Sequence, residues 1–222
     1  MPRSEAGRRA CADAAAAEEA LRAALRRPGL PSSDHDLSAD PVPPGPVPLP
    51  ARPLRPAAVL LAVDLSAPEP RVILTKRAAH LRHHPGQIAL PGGRIEPGET
   101  PAAAALREAA EEVGLPPDRP AILGTLPVHE TVTGFAVTPV LAVIRTPFVP
   151  RPQAGEVEEV FGLPLSHCAD PVRYRVEGRV WGGRRRLYWV APWGPYYLWG
   201  ATACILRGLA LRLAPEARPE AP

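Results

Sequence analysis

The stretch from Thr100 to Gly114 carries its own start and stop signals, and it constrains the fold more than any other part of the chain. Thr100 is a good N-cap, Pro101 suits the first helical position, and Gly114 can close the end in a left-handed turn. Pro101 to Val113 is therefore expected to be a helix. At about 100° per residue, Leu106, Ala109, Ala110 and Val113 fall in one apolar arc, while Glu108, Glu111 and Glu112 gather on the opposite side, flanked by Arg107. The small Ala104 and Ala105 precede the acidic side by one turn, so the carboxylates should be open to approach. Three carboxylates at i, i+3 and i+4 repel one another. They describe either a solvated acidic face or a seat for a divalent cation. Oxygen-only ligands favour Mg²⁺ or Mn²⁺ over zinc and leave positions for water and phosphate.

The flanking segments read as a mixed α/β (α+β) chain. Ala57 to Val63 is a short apolar run with β-branched members, as in a buried strand, and Arg71 to Thr75 reads as its neighbour. Further strands are expected at Ile122 to Val128, Val137 to Ile144 and Arg186 to Val190, and an amphipathic helix at Leu198 to Leu213. Near the start, Ser4 to Arg27 is rich in helix formers and Pro28 ends the run. Pro31 to Pro56 holds many of the 32 prolines and should run extended, as a linker or a strap over the surface. Residues 1–56 are thus expected to be a peripheral appendage without chemistry, 57–214 the main domain and 215–222 a disordered tail. Strands separated by two dissimilar helices imply a mixed sheet between helical layers.

Composition removes several classes of function. A length of 222 residues suits one domain with an appendage, and 45% hydrophobic residues can build its core. The net charge of +3 does not argue for nucleic acid, because the basic residues are scattered; Arg184 to Arg186 is the one compact run and reads as a solvated turn. Cys11, Cys168 and Cys204 are odd in number and far apart, which fits a reducing cytoplasm and gives neither a disulfide framework nor metal-ligand spacing. Ala14 to Ala17 is too short for a signal-peptide core and runs into Glu18 and Glu19. No stretch reaches the roughly 18 apolar residues of a membrane span. His83 and His84, being adjacent, do not face one ion together and read as a polar loop pair or phosphate contact.

Spacing around the helix is more specific. Gly93, five residues, Glu99, seven residues, Arg107-Glu108-Ala109, one residue, Glu111-Glu112, one residue and Gly114-Leu115 reproduce the Nudix signature at its nine fixed positions over 23 residues. The chain is identified on this pattern as similar to that family. The resemblance implies a Nudix-type α/β/α sandwich and a loop–helix–loop that binds metal and pyrophosphate through Glu108, Glu111 and Glu112.

Just upstream, Leu74-Thr75-Lys76-Arg77-Ala78, Arg82 and Gly86-Gln87-Ile88-Ala89-Leu90-Pro91-Gly92-Gly93 resemble the coenzyme A pyrophosphatase branch of the family. The blocks at Gly134 to Val140, Glu156 to Phe161 and Trp199 to Thr202 look like that branch too. One departure bears on the substrate: many members place an aspartate and one more residue between the Pro-Gly-Gly turn and the box arginine, whereas this chain keeps the shorter general spacing and Glu99. Arg77 and Arg82 could grip phosphates bidentately, the 3′-phosphate of coenzyme A being an additional anion. Otherwise Arg77 pairs with a box glutamate and Arg82 lies on the surface. Gly92 and Gly93 make a tight turn that lets backbone approach substrate.

The resemblance implies hydrolysis of coenzyme A or its thioesters to 4′-phosphopantetheine and adenosine 3′,5′-bisphosphate. Catalytic roles fall to Arg107, Glu108, Glu111, Glu112 and, outside the box, to Glu156, with Glu159 second. The alternatives are a Nudix pyrophosphatase for ADP-ribose or another nucleoside diphosphate derivative, and a sensor that binds without cleaving. The expected partner is the small-molecule substrate, with no nucleic acid or membrane; a homodimer is compatible with this reading.

Overall fold

A computed structural model describes residues 13–37, 53–81, 84–181 and 184–214. Its centre is the pairing of β2 (Arg55–Asp64) with β8 (Phe135–Ile144), which run parallel in unbroken register from Arg55 opposite Phe135 to Asp64 opposite Ile144. Parallel strands in the middle of a sheet are covered on both faces. In β2 this splits the side chains by alternation: Ala58, Leu60 and Ala62 enter one core, while Ala57, Leu61 and Val63 enter the other.

The other strands build outward into a nine-stranded mixed sheet. β3 (Arg71–Arg77) and β5 (Gly92–Arg94) lie antiparallel to β2; β4 (Ile88–Ala89) and β9 (Val157–Pro164) lie antiparallel to β3. β6 (Pro120–Thr125) and β7 (His129–Glu130) run antiparallel along β8, and β1 (Ser32–Ser33) pairs parallel with β7. One face is covered by α2 (Pro101–Val113), the other by α1 (Ala14–Arg26) and α4 (Gly200–Leu213). This is the α/β/α sandwich with a mixed sheet that the sequence implies. A four-residue α3 (Leu165–Cys168) follows β9, and β10 (Arg175–Trp181) with β11 (Arg184–Val190) forms a separate antiparallel hairpin. Among the described residues, no helix is long and apolar enough to cross a membrane.

The N-terminal helix differs from the expectation of a peripheral appendage. It begins at Ala14, where the Asp13 carboxylate accepts the Ala16 N–H at 2.8 Å; residues 1–12 lie outside the described residues. Ala17, Leu21 and Ala24, spaced i, i+4 and i+7, are fully buried in the same core as α4. The two helix ends are also tied: Arg212 donates to the Ala24 and Arg27 carbonyls, and Arg27 returns a bond to the Arg212 carbonyl. An apolar stripe with a partner helix is integral to the packing.

Of the proline-rich strap, residues 38–52 lie outside the described residues, as does the tail at 215–222. The described part adds β1 to the sheet edge and encloses His129, which is fully buried. Its Nδ1 meets Ser32 Oγ at 2.9 Å and its Nε2 meets Asp34 Oδ1 at 3.1 Å.

Candidate active site

Helix α2 has the ends its sequence encodes. Thr100 Oγ1 accepts the Ala103 N–H at 3.2 Å, and Gly114 adopts φ 68° and bonds back to Ala110. The face it turns to the sheet is not the one expected. Ala104, Ala105, Ala109, Glu112 and Val113 are buried, whereas Leu106 and Ala110 are only half-buried. The helix is thus rotated by roughly a quarter turn from the apolar-arc reading. Ala104 and Ala105 do not open an approach to the carboxylates; with Ala109 they form a flat seam on which α2 packs closely against Ala58, Leu60 and Ala62 of β2.

That rotation separates the three glutamates. Glu112 is 6% exposed, and its Oε2 accepts the Gly92 N–H at 3.1 Å. Burial, with the nearby charges of Glu156 and Glu108 adding to it, pushes the Glu112 carboxyl up to about 7, against the opposing Gly92 bond and Arg77. Glu108 lies beside Gly93, and a Cβ at Gly93 would meet its carboxylate and push it aside. Glu111 points outward, about half exposed, 3.7 Å from Arg107.

Arg107 organises the loop around these groups. Its Nε and Nη2 donate to the two Glu99 oxygens at 3.0 and 3.2 Å, Nη1 donates to Glu108 at 2.9 Å, and Nη2 also reaches the Arg94 carbonyl at 3.0 Å. The Glu99 and Glu108 carboxylates hold its guanidinium firmly charged. Glu99 is the contact that sequence reasoning left without a role, although its fixed spacing from Arg107 marks it. The Gly92 N–H bond to Glu112 had no signal in the sequence, because the partners are 20 residues apart.

Arg77 ends β3 and comes within 3.5 Å of Glu156 Oε1, just before β9. Its expected alternative partner, a box glutamate, is not its ion pair; Glu156 is. Arg77, Glu112 and Glu156 are therefore one electrostatic group. Arg82, the second upstream arginine, lies outside the described residues, as does His83. Glu159 is engaged elsewhere: it accepts the Tyr196 O–H at 2.5 Å, where Tyr196 stacks on Phe161. Among the aromatic residues from Tyr188 to Trp199, Tyr188 stands edge-on to Trp199, and Arg207 of α4 lies over Trp189 of the hairpin.

A glycine-lined turn laid against a glutamate-bearing helix, on one face of a mixed sheet, is the loop–helix–loop unit of a Nudix hydrolase. The NUDIX domain profile matches residues 54–167, and the chain belongs to the Nudix hydrolase family. It is 42% identical over 160 residues to the "Uncharacterized Nudix hydrolase NudL" of Salmonella newport and, to the same extent, to that of Salmonella dublin, covering 72% of this chain and 83% of each relative. Among solved structures, a Nudix hydrolase from M. smegmatis, RenU, is 30% identical with a TM-score of 0.43, covering 50% of this chain and 70% of that one. The C. elegans Ap4A hydrolase binary complex is 22% identical with a TM-score of 0.42, covering 52% and 83%.

Nudix hydrolases generally depend on a divalent metal, and the donors here fit one. They are hard carboxylate oxygens only, and the acid at their centre is raised partly by its like-charged neighbours, a repulsion that a dication relieves. Among the described residues, no three acidic, histidine or cysteine side chains stand close enough together to hold an ion in this arrangement.

Proposed function

We propose that this Nudix hydrolase splits the diphosphate of coenzyme A or its thioesters, releasing 4′-phosphopantetheine, or its acyl form, and adenosine 3′,5′-bisphosphate. The supporting observation is the segment from Leu74 to Gly93: its residues resemble the coenzyme A pyrophosphatase branch, and it carries Arg77 to Glu156 and Gly92 to Glu112.

In this reading a water attacks one phosphorus of the diphosphate, the bond from that phosphorus to the bridging oxygen breaks, and the Glu156 carboxylate accepts the water's proton. Glu108, Glu111 and Glu112 would hold Mg²⁺ or Mn²⁺, which would supply positive charge to the diphosphate oxygens. Arg107 fixes Glu108 by the bond already formed, and Gly92 and Gly93 let backbone N–H groups come close to the substrate. Arg77 and Arg82 bind phosphate oxygens.

The test is mass spectrometry of products from coenzyme A, ADP-ribose and NADH, with each metal in turn. The two named products from coenzyme A, formed faster than any from the other substrates, support the assignment. Preferred cleavage of ADP-ribose overturns it in favour of the general nucleoside diphosphate reading.

A further inference from the structure

The glycine turn is tied to a helix on the far side of the sheet. β4, the strand that leads into the turn, is two residues long, and among the described residues its one strand partner is β3. Successive carbonyls along a strand point to opposite sides. That of Gln87 accepts the Arg77 backbone N–H at 3.0 Å, so that of Ile88 turns away from β3. It meets Thr202, the third residue of α4, whose hydroxyl donates to it at 3.0 Å. Both residues are buried, and the bond has no competition from bulk water.

A threonine inside a helix commonly returns its hydroxyl to the carbonyl one turn back. Here that carbonyl, of Leu198, accepts the Ala191 N–H at 2.9 Å, and the Thr202 hydroxyl reaches out of its helix instead.

From Ile88 the chain runs to the site under close restraint. The Ala89 carbonyl accepts the hydroxyl of Thr75, itself buried, at 3.2 Å, and the Pro91 carbonyl accepts the Leu60 N–H at 2.7 Å. Gly92 then donates to Glu112 at 3.1 Å. A Cβ on Gly92 would collide with the Ala58 carbonyl and with Val59, so the turn lies directly on β2. A shift of β4 would therefore pass along this run to Gly92 and Gly93. Of the four ties, the one from Thr202 alone comes from the helical layer opposite α2.

We propose that Thr202 is a positioning residue for the hydrolysis: through the Ile88 carbonyl, its hydroxyl fixes the turn where Gly92 meets Glu112 and the turn backbone meets the diphosphate. This rests on the reading that puts the diphosphate at that turn, and it holds for coenzyme A or any other Nudix substrate. A residue of this kind touches no reacting atom. Its loss misplaces the turn slightly, which is felt in the transition state more than in substrate binding.

Thr202→Val keeps the shape and removes the donor. On whichever of coenzyme A, ADP-ribose and NADH the wild type cleaves fastest, this variant should lower kcat roughly tenfold and leave KM within about twofold, and Thr202→Ser should recover most of the rate. Without substrate or metal, hydrogen exchange at the Gly92 amide should quicken in Thr202→Val, while that at Gly114, at the end of α2, stays as it was. Leu21→Ala, in the same core, removes packing and no hydrogen bond, so it should melt earlier with kcat kept. If Thr202→Val does not fold, Thr202→Ala and Thr202→Ser lack the same methyl and differ in the hydroxyl, so the serine variant should be the faster of the two. An unchanged kcat in folded Thr202→Val, an equal loss in the alanine and serine variants, or a kcat loss shared by Leu21→Ala overturns the proposal. Full turnover in Glu112→Gln overturns instead the reading of the site on which it rests.

Discussion

Two effects act on Glu112 in the same direction: the close packing of an alanine seam buries it, and its neighbours Glu108 and Glu156 add negative charge. Its carboxyl lies near 7 in the folded chain against 4.5 ordinarily. A folded value above the unfolded one means that, without metal, stability is complete below about pH 4.5 and falls as pH rises through 7, by on the order of 3 kcal/mol. Thermal melting in chelator at pH 5 and pH 8 should show this loss, and Glu112→Gln should abolish most of it while removing nearly all turnover. A Glu112→Gln protein that keeps its turnover would sink the role given to this residue. Gly93→Ala should act through Glu108: the added methyl displaces the carboxylate, and turnover should drop roughly hundredfold with little change in melting temperature.

At the scale of elements, α2 shows what local chemistry encodes and what it does not. Thr100, Pro101 and Gly114 specify its ends through contacts within a few residues, so the boundaries were legible. Its buried face was not, because Leu106 looks more apolar than Ala104 and Ala105, yet small residues permit the closer approach to β2 and a distant N–H at Gly92 draws Glu112 inward. Strand β9 escaped notice for a related reason. Its run begins Val157-Glu158-Glu159-Val160, which is acidic, and the register shifts opposite Lys76 and Arg77, so the alternation of a strand is broken. Arg107, Glu108 and Glu112 were legible as a group from spacing, whereas the outward turn of Glu111 depends on the rotation of the whole helix. Helix α1 gives a direct test of integration: Leu21→Ala should lower the urea midpoint, costing about 2–5 kcal/mol, as for a buried leucine, whereas a loosely attached helix would show almost no change.

Across the whole molecule, the first and last helices of the described residues, α1 and α4, close the same face of the sheet. Below that closure the strap is fastened by His129. Burial opposes its charge, but Asp34 and Cys204 outweigh that and push the imidazole up to about 9 from an ordinary 6.5. The sign is that of a raised base: the clamp contributes fully below pH 6.5 and is lost as pH rises through 9. Melting temperature should decline over that interval, and Asp34→Asn should flatten the decline; identical slopes in both proteins would rule out the clamp as its source. The β2–β8 ladder has a further consequence, for the order of events on the ribosome. Arg55 must wait for Phe135, so the central ladder can form only once β8 has emerged, and Leu21 must wait longer, for the helix at Gly200–Leu213, which follows even the local β10–β11 hairpin. Folding of this chain is therefore expected to be slow for its size, with the first helix among the last parts to find its place.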